Sequence, residues 1–231
     1  MSLIKSPPAG ATLARFRSRF EAFVQSDEFP CVGARSAIAR GRGRFGLYGR
    51  LGHTCSAAAL WRDLEAFSAE FPNPGEVPAT FVAMFEDTVP DETEFEQLMW
   101  RQLQEIDAHD RAEYGWCPSV SSDPSDPNFS FSAAGRAFFV VGLSPVASRL
   151  ARRAPMPCLV FNFHDQFEHL RASGKYDNFT RVIRARDLVL QGAVNPALAP
   201  FGEQSEARQY SGRAAEPGWR CPFSAGVRDA S

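Results

Sequence analysis

The sequence lacks the long apolar runs and the apolar leader that direct proteins into or across membranes. Its longest apolar run, residues 137–143, is only of strand length, whereas a helix that crosses a bilayer needs about 20 residues. The first residues, MSLIKSPPAGATLARF, contain no apolar h-region of the kind found in signal peptides. We therefore expect a cytoplasmic protein without a membrane partner.

Paired cysteines are also missing. The five cysteines have unrelated spacings and form no CxxC pair; they are Cys31, Cys55, Cys117, Cys158 and Cys221. A zinc ribbon needs such pairs, so this kind of metal site is disfavoured. In a cytoplasm we expect these thiols to be reduced.

The sequence has no excess of charge of one sign and no standard catalytic motif. Its 25 basic and 27 acidic residues give a formal net charge of −2, so no nucleic-acid partner is expected. The GxSxG, GxxxxGK[ST] and HExxH motifs are absent. The GRGRFG run at residues 41–46 precedes a predicted strand, whereas a dinucleotide fingerprint follows a strand and opens a helix.

Hydrophobic spacing predicts an α+β protein with a phenylalanine-rich interior. Twenty Phe residues suit an ordinary core and also a flat apolar ligand. Because several predicted strands are joined by short turns, we expect a mixed, largely antiparallel sheet packed with helices. Residues 11–223 should form a single domain between a flexible N-terminus (1–10) and a flexible tail (224–231). The predicted helices cover 11–24, 56–70, 91–106, 165–172 and 176–190, with a short one starting at Ser144, and the predicted strands cover 44–51, 79–85, 129–132, 137–143 and 158–163.

The first segment that can carry chemistry is FPCVGARSA, residues 29–37. Cys31 lies where a helix is predicted to begin. Buried, its thiol is an inert small hydrophobe. At a helix N-terminus beside Arg35, its thiolate is stabilised and can serve as a nucleophile or a metal ligand.

The second segment is FNFHDQFEHLR, residues 161–171. A strand that ends at Phe163 delivers His164 to the sheet edge, and helical spacing places Glu168 and Arg171 on the same face as His164. The imidazole there can be an axial haem ligand, a general base or a hydrogen-bonded structural group. A non-haem metal site needs two further ligands, and His53, His109 and His169 show no matching spacing.

The third segment joins GEQSEARQYSGR (202–213) to WRCPF (219–223). Its polar and aromatic residues predict either a site wall or an ion-paired wrap over the domain. Arginines here can clamp haem propionates or a substrate carboxylate, glutamates can pair with a substrate cation, and the cysteine is another candidate thiolate. The residues concerned are Glu203, Glu206, Arg208, Tyr210, Arg213 and Cys221.

Six runs in this order resemble the YqcI/YcgG family, and within it the branch of the guanitoxin-biosynthesis haem-dependent N-hydroxylases. The runs cover most of the chain beyond the first helix. They are FPCVGARSA, ATFVAMFE, FSFSAAGRAFFVVGL, LVFNFHDQFEHLR, IRARDLVLQGAVNP and GEQSEARQYSGR…WRCPF.

The resemblance implies a b-type haem protein that activates dioxygen and hydroxylates nitrogen in a guanidino or amine small molecule. The family motifs fall on Cys31, on Asn162 and His164, and on Cys221. This chain has Phe163 where we expect proline, so the turn before His164 can differ. Electrons must come from a separate reductase or a chemical donor, since no flavin or iron–sulfur motif is present.

Which residue ligates the iron is left open by the motifs. A thiolate favours O–O cleavage, and PCVG is similar to the Cys-Val-Gly around the haem thiolate of nitric oxide synthases. This favours Cys31, followed by His164 and then Cys221. In this hypothesis Arg35, Arg208 or Arg213 neutralises the propionates, with Asn162 and Tyr210 also at the cofactor, and Glu168, Glu203 or Glu206 meets the substrate cation. The alternatives are a haem-binding sensor or carrier without turnover, and a haem-free binding module.

Overall fold

The computed structural model describes residues 9–75, 77–193, 195 and 203–228, and it shows a five-stranded mixed sheet with helices on both faces. Three of the four strand pairs are antiparallel. The α+β fold predicted from the sequence is confirmed. Within the described residues, no helix combines the length and hydropathy that a bilayer span requires.

The elements alternate along the chain much as the hydrophobic spacing predicts. A short 3-10 helix, Leu150–Arg152, lies between the fourth and fifth strands. The strands among the described residues are β1 (Gly43–Tyr48), β2 (Thr80–Phe85), β3 (Phe131–Ala133), β4 (Arg136–Leu143) and β5 (Cys158–Phe163). The helices there are α1 (Ala9–Gln25), α2 (Val32–Ala39), α3 (Thr54–Glu70), α4 (Glu92–Asp110), α5 (His164–Ala172), α6 (Tyr176–Gln191) and α7 (Ala207–Tyr210).

The strand order β1-β2-β5-β4-β3 brings distant segments of the chain side by side. In this register Asn162 of β5 lies between Thr80 of β2 and Phe139 of β4. Val160 lies in the same way between Val82 and Val141. Because side chains two residues apart share a face of a sheet, these two rows form one continuous surface across three strands.

The two faces of the sheet differ in how they are covered. One face carries aromatic side chains such as Phe81, Phe138 and Phe161, which are fully or almost fully buried against α3 and α4. On the other face, Val82 and Val160 pack with α1 through Phe20. Helix α1 covers this second face only in part, and a cavity lies beside α1 over the rows of Asn162 and Val160.

One predicted helix is wrong. The segment that follows β4 does not form a helix from Ser144 but turns, and it reaches the 3-10 helix at Leu150. The carboxylate of Glu92, at the start of α4, accepts hydrogen bonds from the backbone N and the hydroxyl of Ser148, at 2.9 and 3.0 Å. These bonds, made to a distant helix, hold the segment in a turn.

The ends of the predicted domain are only partly within the described residues. Residues 1–8 of the expected flexible N-terminus and residues 229–231 of the expected tail lie outside them. Within the tail, Ser224 exchanges hydrogen bonds with Gln104, and Arg228 binds the buried carboxylate of Asp107 at 2.7 Å. Residues 224–228 therefore pack along α4.

Candidate functional site

A cavity of about 310 Å³ lies over the second face of the sheet, beneath α2, α5 and α6. Its size is within the range of small-molecule sites. The floor consists of the two rows of side chains from β2, β5 and β4. The lining is largely apolar. Its polar residues include Asn162 in the floor and, in the walls, Cys31, Gln166, Arg149, Arg152, Arg171, Arg184, Asp187, Tyr176 and Glu206.

Cys31 caps the N-terminus of α2 and faces the cavity. Its Sγ accepts a hydrogen bond from the backbone N of Ala34 at 3.5 Å. A side chain at Gly33 would place its Cβ 3.0 Å from the ring of Phe179, so glycine lets α6 close over this turn. Burial raises the pKa of the Cys31 thiol, although the backbone N–H groups and nearby Arg152 act in the opposite direction. The thiol is therefore neutral until a cation displaces its proton.

Arg149 and Arg152 place guanidinium groups in the same wall. Arg149 forms an ion pair with Asp187 of α6. Arg152 donates to the carbonyl oxygens of Gly142 at 3.0 Å, Tyr210 at 3.2 Å and Gln209 at 3.0 Å. Burial lowers the pKa of Arg152 to about 10, so it is still protonated at neutral pH.

Sequence reasoning missed both of these arginines. They belong to a run, RLARR at 149–153, in the segment that we predicted as a helix and to which we assigned no role. The one signal that could have indicated these arginines is that a basic run follows the strand predicted at 137–143.

Glu206 is a further polar group of the wall. Its Oε2 accepts a hydrogen bond from the hydroxyl of Ser130 at 3.0 Å. Burial raises the pKa of Glu206 to about 7, and the Ser130 bond and the charge of Arg171 offset this in part. A carboxyl group of this kind can hold or release a proton near neutral pH.

His164 lies behind Glu206, outside the cavity wall formed by the described residues. It is 8% exposed, and its two ring nitrogens face Ser130 Oγ at 2.9 Å and Glu168 Oε1 at 3.1 Å. Phe163 is the last residue of β5, and α5 begins at the next residue. The ring of Phe163 is buried and stacked on that of Phe67, with 4.6 Å between the ring centroids. The imidazole is thus held in a hydrogen-bonded chain, and we do not retain His164 as the leading alternative iron ligand.

The C-terminal segment is divided among four places. Glu203, Arg208 and Cys221 line a second depression beside Trp219, and burial raises the pKa of the Cys221 thiol to about 12. Tyr210 lies in the aromatic core, with its hydroxyl bonded to the backbone of Phe131 and Phe138. Arg213 pairs with Glu96 and Glu216. Only Glu206 of this segment's predicted site residues therefore lies in the wall of the main cavity.

Arg35 lies on the outer side of α2. Its guanidinium donates to the carbonyl oxygen of Ser26 at 2.7 Å and lies 3.8 Å from the carboxylate of Asp27. These contacts tie α2 to the end of α1, and Arg35 is not among the residues that line the cavity. Arg149 and Arg152 take its place as candidate partners of an anionic group.

The donor groups of the cavity suit a haem better than a multi-ligand metal ion. The described residues contain no group of three or more His, Cys, Asp or Glu side chains that could hold a metal ion, whereas haem iron can take a single axial thiolate from the protein. The buried Nε of Arg149, on a side chain of the wall, has no hydrogen-bond partner among the described residues and can donate to an anionic group, whereas the likewise unpartnered Asp187 Oδ1 can only accept a hydrogen bond. The residues present thus fit a flat apolar ligand with anionic substituents.

The raised pKa of Glu206 predicts a pH-dependent effect on stability. Below the ordinary carboxyl pKa the group is protonated in both states, and between that value and about 7 only the folded chain keeps the proton. Stability is therefore lost as pH rises through this window. Glu206→Gln should gain about 2 kcal/mol relative to wild type between about pH 5 and about pH 8, measured by urea unfolding. The exposed Glu113→Gln should show no such gain, and an equal response of both variants contradicts the assignment.

A protein-family comparison matches this chain to the model of the YqcI/YcgG family over residues 20–224. The chain therefore belongs to the YqcI/YcgG family. The match includes the segments that form the cavity, from Phe20 of α1 to Glu206 beside α7. Searches of curated proteins and of solved structures find no match.

Proposed function

We propose that this protein is a haem-dependent monooxygenase that hydroxylates a nitrogen atom of a guanidino or amine small molecule. One observation carries the proposal: the thiol of Cys31 faces a largely apolar cavity whose wall also holds the guanidinium groups of Arg149 and Arg152. A thiol that could ligate iron, guanidinium groups that could pair with propionates and apolar walls would together suit a b-type haem. Within the family, the proposal places the chain in the guanitoxin-biosynthesis N-hydroxylase branch.

In this proposal Cys31 would hold the iron, and Arg149 and Arg152 would pair with the propionates. As a ligand Cys31 would be a thiolate, which the N-terminal N–H groups of α2 would stabilise. The haem, when bound, supplies dioxygen activation. Both arginines already lie in the cavity wall.

Glu206 is the carboxyl group that meets the substrate nitrogen. Among the described residues, the other carboxylate in the cavity wall is Asp187, which is already paired with Arg149. With a pKa of about 7, Glu206 can accept a hydrogen bond from a cationic nitrogen and exchange a proton with it. Asn162, in the floor, has its amide N 3.4 Å from the Phe139 carbonyl oxygen and can orient a polar substituent. The apolar walls exclude water from the reacting atoms.

The partners in this proposal are dioxygen and an external electron donor. A separate reductase or a chemical donor supplies the electrons. A cytoplasmic location agrees with the five cysteines, all of which are free thiols.

Turnover of the haem-loaded protein tests the proposal and separates an enzyme from a sensor or carrier. The loaded chain, given a chemical electron donor and air, should add one oxygen atom to nitrogen of a member of a panel of guanidino and amine compounds, detected by mass spectrometry. Glu206→Gln should lower kcat by about 100-fold, the scale of lost acid–base catalysis. Bound haem with no product from any member of the panel would support a carrier instead.

A further inference from the structure

Four side chains connect the cavity with the protein surface by three hydrogen bonds. Glu206 Oε2 is 3.0 Å from Ser130 Oγ, Ser130 Oγ is 2.9 Å from His164 Nδ1, and His164 Nε2 is 3.1 Å from Glu168 Oε1. Ser130 is fully buried, His164 is almost fully buried, and the side chain of Glu168 is half exposed. We infer that Glu206, Ser130, His164 and Glu168 form a proton-transfer chain between solvent and the cavity.

The proposed hydroxylation requires protons inside the cavity, and the inference rests on the proposed function for this requirement. Hydroxylation of an N–H group consumes one dioxygen, two electrons from the external donor and two protons. It yields the N-hydroxyl group and one water. Because the cavity walls are largely apolar, the protons require a route through polar side chains.

The hydroxyl of Ser130 couples the directions of the two bonds that it makes, to Glu206 and to His164, because it has only one proton to donate. When Ser130 donates to the Glu206 carboxylate, Nδ1–H of a protonated His164 donates to Ser130. When Glu206 is protonated and donates to Ser130, Ser130 donates to Nδ1 of a neutral His164. The two arrangements hold the same number of protons and differ by one proton moved from His164 to Glu206.

The surroundings bring the pKa values of His164 and Glu206 closer together. Burial lowers the pKa of His164 and raises that of Glu206, so the pKa values of the two groups move toward each other. Arg171 also opposes the charged imidazole, whereas Glu168 and Asp165 favour it. Around Glu206 the other titratable groups are Arg171, Glu168, Tyr176 and Tyr210.

The outer end of the chain can exchange protons with water. Glu168 also accepts a hydrogen bond from Arg171 Nη2 at 2.9 Å, which fixes its carboxylate beside His164. A proton that reaches Glu168 Oε1 from water passes to Nε2 of the neutral Nδ1–H form of His164. This gives the protonated ring, whose Nδ1–H then moves inward through Ser130. His164 is therefore assigned as a relay rather than as an iron ligand or a structural histidine.

Nitrogen NMR of the histidine rings in the full-length chain tests the inference without requiring haem. Glu206→Gln should change the Nδ1 and Nε2 shifts of His164 and its titration midpoint by about half a pH unit or more. Ser130→Ala should weaken this response, and Ser130→Thr, which keeps a hydroxyl, should restore it. Ring shifts and a midpoint that are the same in wild type and Glu206→Gln would overturn the inference.

Turnover provides the second measurement. In the haem-loaded protein, His164→Ala should lower kcat by about tenfold or more with little change in KM, and added imidazole should restore much of the rate. His169→Ala, an exposed histidine of the same helix, is the matched control and should not change kcat.

The two proposals fail in different ways. A chain that takes up no haem but shows the NMR coupling keeps the proton chain and loses the proposed function. A haem-loaded His164→Ala variant that turns over at the wild-type rate keeps the proposed function and overturns the proton chain.

Discussion

Replacing Cys31 with alanine is expected to abolish the thiolate-type absorption spectrum of the haem-loaded protein and to reduce haem affinity by at least about tenfold. Cys31 is the one of the three predicted iron ligands that faces the main cavity, since Cys221 lines the second depression and His164 lies outside the wall of described residues. The substitution removes the axial sulfur and leaves the cap of α2 without its acceptor. Optical titration with haem measures both effects.

Cys55→Ala is the matched control for this variant. Cys55 is an exposed free thiol in the first turn of α3, far in sequence from the segments that line the cavity. It should bind haem with the wild-type spectrum. If Cys31→Ala keeps that spectrum and His164→Ala loses it, the ligand assignment is wrong.

Replacing Arg152 with methionine is expected to weaken both haem binding and the fold. The guanidinium holds the carbonyl oxygens of Gly142, Gln209 and Tyr210, and so ties α7 to β4. Leaving these partly buried carbonyls without their charged donor should cost about 3–5 kcal/mol of unfolding free energy. Loss of the cation should lower haem affinity by at least about tenfold. Urea unfolding and haem titration measure the two effects separately.

The exposed Arg62→Met serves as the control for charge removal and should match wild type in both measurements. An Arg152→Met protein that is less stable but binds haem with wild-type affinity would show that Arg152 only supports the fold. In that case Arg149 alone would remain as a partner for the propionates.

Local sequence signals predicted most of the fold. Strand β5 has the bounds predicted for it, because an almost continuous apolar run precedes a polar helical segment at His164. The short helix from Ser144 was predicted wrongly, because the bonds that Glu92 makes to Ser148 come from a part of the chain more than 50 residues away. Local spacing contains no information about such a contact.

The site was predicted less completely than the fold. Motifs indicated Cys31 and Glu206, which the fold brings to one cavity. The roles proposed here for Arg149 and Arg152 depend on strand order and on the packing of α6 and α7, which a single sequence does not reveal. The sequence likewise did not show that Arg213 pairs with Glu96 and Glu216. A structural role for Arg213 therefore could not be distinguished from a role at the cofactor.

The absorption spectrum of the ferrous, carbon monoxide-bound form of the wild-type chain, loaded with haem, tests the central claim most directly. We predict one haem per chain and the red-shifted Soret band of a thiolate-ligated haem, since Cys31 faces the cavity. A well-folded chain that gives no Soret band, or a band of the histidine-ligated type, would contradict the account.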